Sequence, residues 1–135
     1  RVGWAIAACV AARTSLLRRL GPFDPSRFLF YEDLDLCLRA RAAGTATELR
    51  PEIALLHVGG HSTRVALGGD ALDLRAHRRR EVIAANLGPR ALASDDRSQA
   101  ITFALRALVG RERPRNRAML AALRAARREA QNSPS

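Results

Sequence analysis

Three acidic residues, Glu32, Asp33 and Asp35, follow a short aromatic run and are the side chains best suited to chemistry in this sequence. Only 4% of the chain is aromatic, yet the run 28–31 reads Phe-Leu-Phe-Tyr. Apolar walls beside carboxylates can raise a carboxyl pKa or shape a site for a polar substrate. The same pattern also fits an aromatic packing cluster followed by an acidic helix N-terminus, so the local pattern leaves both interpretations open.

Helix geometry separates the three acids. The pattern predicts a helix over Glu32–Ala43, and residues two apart on a helix point about 200° away from each other. Asp33 and Asp35 therefore cannot bind one metal ion together, although they spell D-x-D. Asp35 lies one turn before Arg39 and can pair with it. Asp33 lies in the first turn, where the helix dipole favours an ionised carboxylate, so it is a candidate general base or a simple complement to the dipole.

The remaining pattern predicts the second half of an α/β domain, with helices appended on its C-terminal side. We place the domain boundary between residues 63 and 64, with a basic helical extension over 64–135. The predicted strands or extended segments are Trp4–Ala12, Phe28–Tyr31, Thr45–Leu49 and Ile53–Val58. The other predicted helices are Ser15–Leu20, Asp70–Asn86, Asp95–Val109 and Arg117–Ala130, the last two with apolar stripes that make them amphipathic.

The C-terminal half carries most of the net charge of +10. Residues 1–63 contain 8 arginines and 6 acids, whereas residues 64–135 contain 15 arginines and 7 acids. Such a basic face suits an anionic membrane surface, nucleic acid or phosphorylated ligands, or is only a solvated face. We favour the membrane surface, because the basic half lacks interleaved aromatic residues and nucleic-acid-binding motifs.

Several motifs resemble one enzyme family in their order along the chain. They are Trp4–Arg13, Leu20–Asp24, Phe28–Arg39, Ala43–Gly44, Arg50–Glu52 and Leu56–Thr63. Together they resemble the distal half of a family 2 glycosyltransferase of the bacterial rhamnosyltransferase-like type. The resemblance implies a Rossmann-like, nucleotide-diphospho-sugar transferase fold of the GT-A type. It also implies an inverting transfer of a sugar from a nucleotide-sugar to an acceptor hydroxyl, in the synthesis of cell-surface polysaccharide.

The resemblance also assigns roles to residues and partners. It implies a dTDP- or UDP-sugar donor, a glycan or lipid-linked acceptor, and a cytoplasmic enzyme at the inner face of the plasma membrane. A divalent metal, Mg or Mn, would have its main D-x-D ligands outside this chain. The implied residues are Asp33, then Glu32, as catalytic base; Trp4, Phe23, Asp24, Tyr31 and Asp35 on the acceptor side; and His57, then His61, as metal ligands.

The expected extent of the chain limits the expected activity. We expect a fragment that lacks the donor-binding half and does not turn over alone. Two alternatives remain open at this point: a basic nucleic-acid-binding module, and a non-catalytic module that completes a site with another chain.

Overall fold

The fold is described from a computed structural model, which describes residues 1–21, 23–25, 29–57, 71–110 and 112–132. The chain divides into two compact units, Arg1–Asp70 and Ala71–Ser135. We call them the first and the second unit. The predicted domain boundary, between residues 63 and 64, falls in a range outside the described residues and stays a prediction.

Two helices organise the first unit. Helix α1, Thr14–Leu20, ends at Gly21, whose φ of 72° is readily adopted only by glycine. Helix α2, Glu32–Ala42, contains a continuous buried stretch, Leu34–Leu38, so its middle is covered on all sides. Both helices begin and end within a residue of their predicted bounds.

The predicted α/β fold is wrong for the described residues. They contain no strand, and the one bridge of β type is an isolated antiparallel pair between Val2 and Thr47. The segments 4–12, 29–31 and 53–57 are turns, bends or irregular backbone instead, and 45–49 is irregular apart from the bridge residue Thr47. The apolar run after Trp4 has no alternation that would set a strand register, and a strand also needs a neighbour for its backbone N–H and C=O groups. Residues 28 and 58, at the ends of two predicted extended segments, lie outside the described residues.

The second unit is helical throughout its described length. Helix α3, Leu72–Val109, is kinked at Gly88, which has φ 80° and ψ 177°, and helix α4 is Arg113–Asn132. The predicted helix end after Asn86 is confirmed by the non-helical backbone at Gly88, but the predicted gap up to Asp95 is wrong, because the helix resumes at Pro89. Proline suits the first position of a helix, where its missing N–H has no partner to lose.

Small side chains let α3 and α4 approach each other. Their shared core contains Ala76, Ala122 and Ala126, with Leu72 packed against it. Val82 is fully buried. An alanine-lined contact brings two helix backbones close together but buries little apolar area for each residue, so charged pairs beside it gain importance.

Candidate functional site

Asp33 joins the N-terminal segment to the first turn of α2. Its Oδ2 accepts a hydrogen bond from the Ala7 N–H at 3.0 Å, and its Oδ1 accepts one from the Leu34 N–H at 2.7 Å. The side chain is half-buried. Since each carboxylate oxygen can accept two hydrogen bonds, both oxygens keep a lone-pair direction for a further donor. The carboxylate is therefore oriented by the backbone and still able to bind a hydroxyl.

An aromatic pair joins the same two chain segments. The rings of Trp4 and Tyr31 lie with their centroids 6.3 Å apart and their planes tilted by 43°. Tyr31 is the residue before α2 and has φ 62°, and Phe30 before it has φ 73°. Left-handed backbone is rare for bulky residues and costs about 1–3 kcal/mol at each. The fold therefore maintains a strained turn that sets the direction of the Tyr31 ring.

Asp35 pairs with Arg39, as helix geometry predicts. The Arg39 Nε donates to the Asp35 Oδ2 at 2.7 Å, and Asp35 is only 4% exposed. The Nη1 of Arg39 also donates to the carbonyl oxygens of Leu20 and Gly21, each at 2.6 Å. Arg39 thus holds the C-terminal end of α1 against α2.

Glu32 differs from its two acidic neighbours in its hydrogen bonding. Its Oε2 is buried and has no hydrogen-bond partner among the described residues. A buried carboxylate oxygen without a partner is expensive in free energy, and such groups are rare in folded proteins. In this conformation a substrate hydroxyl cannot reach that oxygen, which sets Glu32 apart from the half-exposed Asp33.

The other predicted site residues are less closely tied to this cluster. Phe23 is exposed and Asp24 is half-buried in the segment that follows Gly21. His57 is exposed, and His61 lies outside the described residues. Over the described ranges, no group of three or more His, Cys, Asp or Glu side chains is arranged to hold a metal ion. The metal role of both histidines stays a prediction.

The hydrogen bond from Ala7 to Asp33 and the contacts from Arg39 to the end of α1 were not predicted from the sequence. Nothing in the residue types predicts that the Ala7 N–H donates to Asp33, because a backbone donor carries no sequence signature. The contacts from Arg39 to Leu20 and Gly21 could have been predicted from the position of the end of α1. The last carbonyls of a helix lack intrahelical partners and attract a cation, and α1 ends at a glycine that cannot cover them.

No described helix is both long enough and apolar enough to cross a membrane. That finding concerns the described ranges only.

Two kinds of comparison return no match. The sequence matches no protein-family model, and no solved structure matches it.

Curated proteins do give matches. The chain is 37% identical over 79 residues to an N-acetylglucosaminyl-diphospho-decaprenol L-rhamnosyltransferase of Mycobacterium tuberculosis, covering 58% of this chain and 24% of that protein. It is 33% identical over 63 residues to the rhamnosyltransferase WbbL of Escherichia coli, covering 47% of this chain and 24% of that protein. The matched region thus spans about a quarter of the relatives' length. These matches support a glycosyltransferase-like relationship for this chain.

Proposed function

We propose that this chain forms the acceptor-side part of a glycosyltransferase that transfers a sugar, with inversion, from a nucleotide-sugar to an acceptor hydroxyl. The observation that carries the proposal is the fixed Asp33 carboxylate at the start of α2. The two rhamnosyltransferase names support a sugar-nucleotide donor and a lipid-linked acceptor of the same general kind. The role of such an enzyme would be the synthesis of cell-surface polysaccharide.

In the proposed reaction Asp33 acts as the general base. The acceptor hydroxyl gives its proton to the Asp33 carboxylate while its oxygen bonds to the anomeric carbon of the donor. The bond from that carbon to the nucleotide diphosphate breaks, and the diphosphate leaves with the electron pair. Hydrogen bonds from Ala7 and Leu34 hold the carboxylate in one orientation, so little reorganisation is needed when the proton moves.

The neighbouring residues would shape the acceptor site. The tilted Trp4 and Tyr31 rings offer an apolar surface against which a sugar ring can stack. Glu32 is the second candidate base, but its buried Oε2 suits a positioning role better. A divalent metal on the donor diphosphate is part of the proposal, with His57 as its candidate ligand in this chain. Phe23 and Asp24 would border the acceptor side from the segment that Arg39 holds against α2.

A chimera tests the proposal directly. The segment of the mycobacterial rhamnosyltransferase that matches this chain would be replaced by the corresponding segment of this chain. Sugar transfer would then be followed by release of the nucleotide diphosphate and by mass spectrometry of the acceptor. We expect the chimera to transfer sugar and the 135-residue chain alone to give no transfer, because the matched segment is only 24% of the relative's length.

Asp33→Asn in the chimera is the decisive variant. Loss of a general base lowers kcat by about 10²–10⁴-fold, and KM should change little because the amide keeps the side-chain volume. Glu32→Gln is the matched control, since it makes the same chemical change one residue earlier and should lower kcat much less. A chimera that folds, as judged by its thermal transition, but keeps full activity with Asp33→Asn would contradict the proposed base.

A further inference from the structure

The second unit exposes an apolar stripe on the outer face of α3. The stripe consists of Ile101, Leu105, Leu108 and Val109, which are 61%, 57%, 67% and 80% exposed. At 100° for each residue, their spacing places all four within an arc of about 100°. Solitary exposed leucines are ordinary on protein surfaces, but four large apolar side chains in one stripe form a contiguous patch.

The opposite face of the same helix segment is already used. Asp96 and Ala107 are buried, and on the helical wheel both lie on the side away from the stripe. Packing against α4 therefore does not cover the stripe, and its four side chains remain exposed. Apolar exposure of this kind marks a surface that meets an apolar environment elsewhere.

The charges around the stripe are mainly basic. Residues 97–113 contain four arginines and one acid, Glu112, which pairs with Arg115 at 3.3 Å. Arg97 and Arg106 are exposed on the same helix segment as the stripe, and Arg113 is exposed at the start of α4. The two acids just before Arg97 already have arginine partners: Asp95 pairs with Arg79 at 2.8 and 2.6 Å, and Asp96 pairs with Arg80. The surface is thus apolar at its centre and cationic at its margins.

We propose that this stripe and its flanking arginines are a docking surface for an anionic lipid bilayer. An interfacial helix buries its apolar side among the upper acyl chains while its basic residues meet the negative headgroups. The flanking arginines favour an anionic occupant over a second copy of the same basic surface, which would bring like charge. The apolar centre favours a bilayer over nucleic acid, because only the bilayer offers an apolar interior. The proposal does not depend on the sugar-transfer chemistry of the first unit.

Co-flotation of the 135-residue chain with vesicles tests the proposal. The vesicles would be phosphatidylcholine alone, or phosphatidylcholine with about 30% phosphatidylglycerol. We expect binding to the anionic vesicles that weakens as salt is raised, and little binding to the neutral ones. Equal binding to both vesicle types, or no binding to either, would overturn the proposal.

Paired variants locate the surface. The double variant Leu105→Ser/Leu108→Ser should weaken anionic-vesicle binding by at least about tenfold. Leu55→Ser/Leu56→Ser is its matched control, because it makes the same change at exposed leucines of the first unit, and it should bind as the wild type does. Arg106→Gln should weaken binding about fivefold, whereas Arg18→Gln on α1 should have no effect. Equal losses in the stripe variant and its control would overturn the assignment.

A fluorescent label gives a second test that does not depend on the serine variants being folded. In a Cys9→Ser background, Cys37 is buried and unreactive, so an environment-sensitive dye can be attached through Leu105→Cys or Leu55→Cys. Only the Leu105 position should show a blue shift with anionic vesicles. A shift at both positions, or at neither, would contradict the proposal. So would tight duplex-DNA binding without vesicle binding, or a dimer that the stripe variant makes monomeric and that binds no vesicles.

Discussion

Both units contain a buried aspartate that pairs with an arginine, but the two pairs differ in how far apart they lie in the sequence. In the first unit Asp35 pairs with Arg39 one turn away on the same helix. In the second unit Asp96 pairs with Arg80, which lies on the other side of the Gly88 kink. Arg127 of α4 also approaches Asp96, at 3.7 Å. The first pair is local in sequence, whereas the second connects three helical segments.

This difference sets what each pair stabilises. Arg39 keeps two further acceptors, the carbonyls of Leu20 and Gly21, if Asp35 is removed. Arg80 lies almost entirely inside the second unit and faces Asp96. A local pair with spare partners therefore orients a helix, while a long-range buried pair determines how helices pack. The first arrangement suits the proposed substrate site, and the second suits a tightly packed set of helices.

Removal of the Asp96 carboxylate should destabilise the second unit more than any other change proposed for the two pairs. Asp96→Ala should lower the free energy of unfolding of the second unit by about 3–5 kcal/mol, because it leaves the Arg80 charge buried without its main partner. The loss would be read from far-UV circular dichroism during urea unfolding, since α3 and α4 hold most of the helix. Asp73→Ala, at an exposed acid in the first turn of α3, is the control and should cost at most about 1 kcal/mol. Equal effects of the two variants would show that Asp96 does not organise the packing.

Asp35→Ala makes the same change in the first unit and should have a smaller effect, about 1–3 kcal/mol. Arg39 is partly exposed and retains its two carbonyl acceptors. The fluorescence of Trp4, the one tryptophan of the chain, reports on this unit specifically. A loss as large as that from Asp96→Ala would mean that the local pair is as central to its unit as the long-range pair is.

The same contrast explains how far the sequence could predict the structure. Bounds of α1 and α2 and the Asp35–Arg39 pair follow from turn residues and from i, i+4 spacing, which are local rules. The apolar segment after Trp4 was predicted as a strand and is irregular, because strand formation depends on a neighbouring strand that local patterns do not reveal. Pairing of Arg80 with Asp96 spans 16 residues and a kink, so spacing rules could not find it.

The candidate site shows the same limit. The types and order of its acids indicated a carboxylate at a helix N-terminus, and Asp33 lies there. The hydrogen bond from Ala7 depends on tertiary contacts, and so does the burial of the Glu32 Oε2 without a partner among the described residues, so no sequence pattern could supply either. Whether Asp33 is the base stays a prediction, for which the chimera gives the test.

Each unit also contains a glycine whose positive φ other residues rarely adopt. Gly88 has φ 80° and ψ 177°, a region almost exclusive to glycine, and Gly44 has φ 76°; a Cβ would meet no atom within 4 Å at either. Gly88→Ala should therefore cost about 1–3 kcal/mol through backbone strain, and Gly44→Ala about 1–2 kcal/mol. Gly3→Ala, where φ is not positive and the space is open, is the control and should be nearly neutral. A neutral Gly88→Ala would show that the kink can straighten at little cost.

Two arginine–acid pairs, one largely buried and one exposed, differ least in their expected effects. Arg79 donates to both oxygens of Asp95 from a largely buried position, whereas Arg50 approaches Glu48 at 3.7 Å with both side chains exposed. Arg79→Lys removes the bidentate geometry and should lower the free energy of unfolding by about 1 kcal/mol. Arg50→Lys should change it by less than about 0.5 kcal/mol, because an exposed pair is weakened by solvent and salt. Both values come from urea unfolding at low and high salt, and only the effect at Arg79 should persist when salt is raised. If the two substitutions have equal and equally salt-sensitive effects, then the second unit depends on its cross-kink pairs no more than the first depends on its surface pairs.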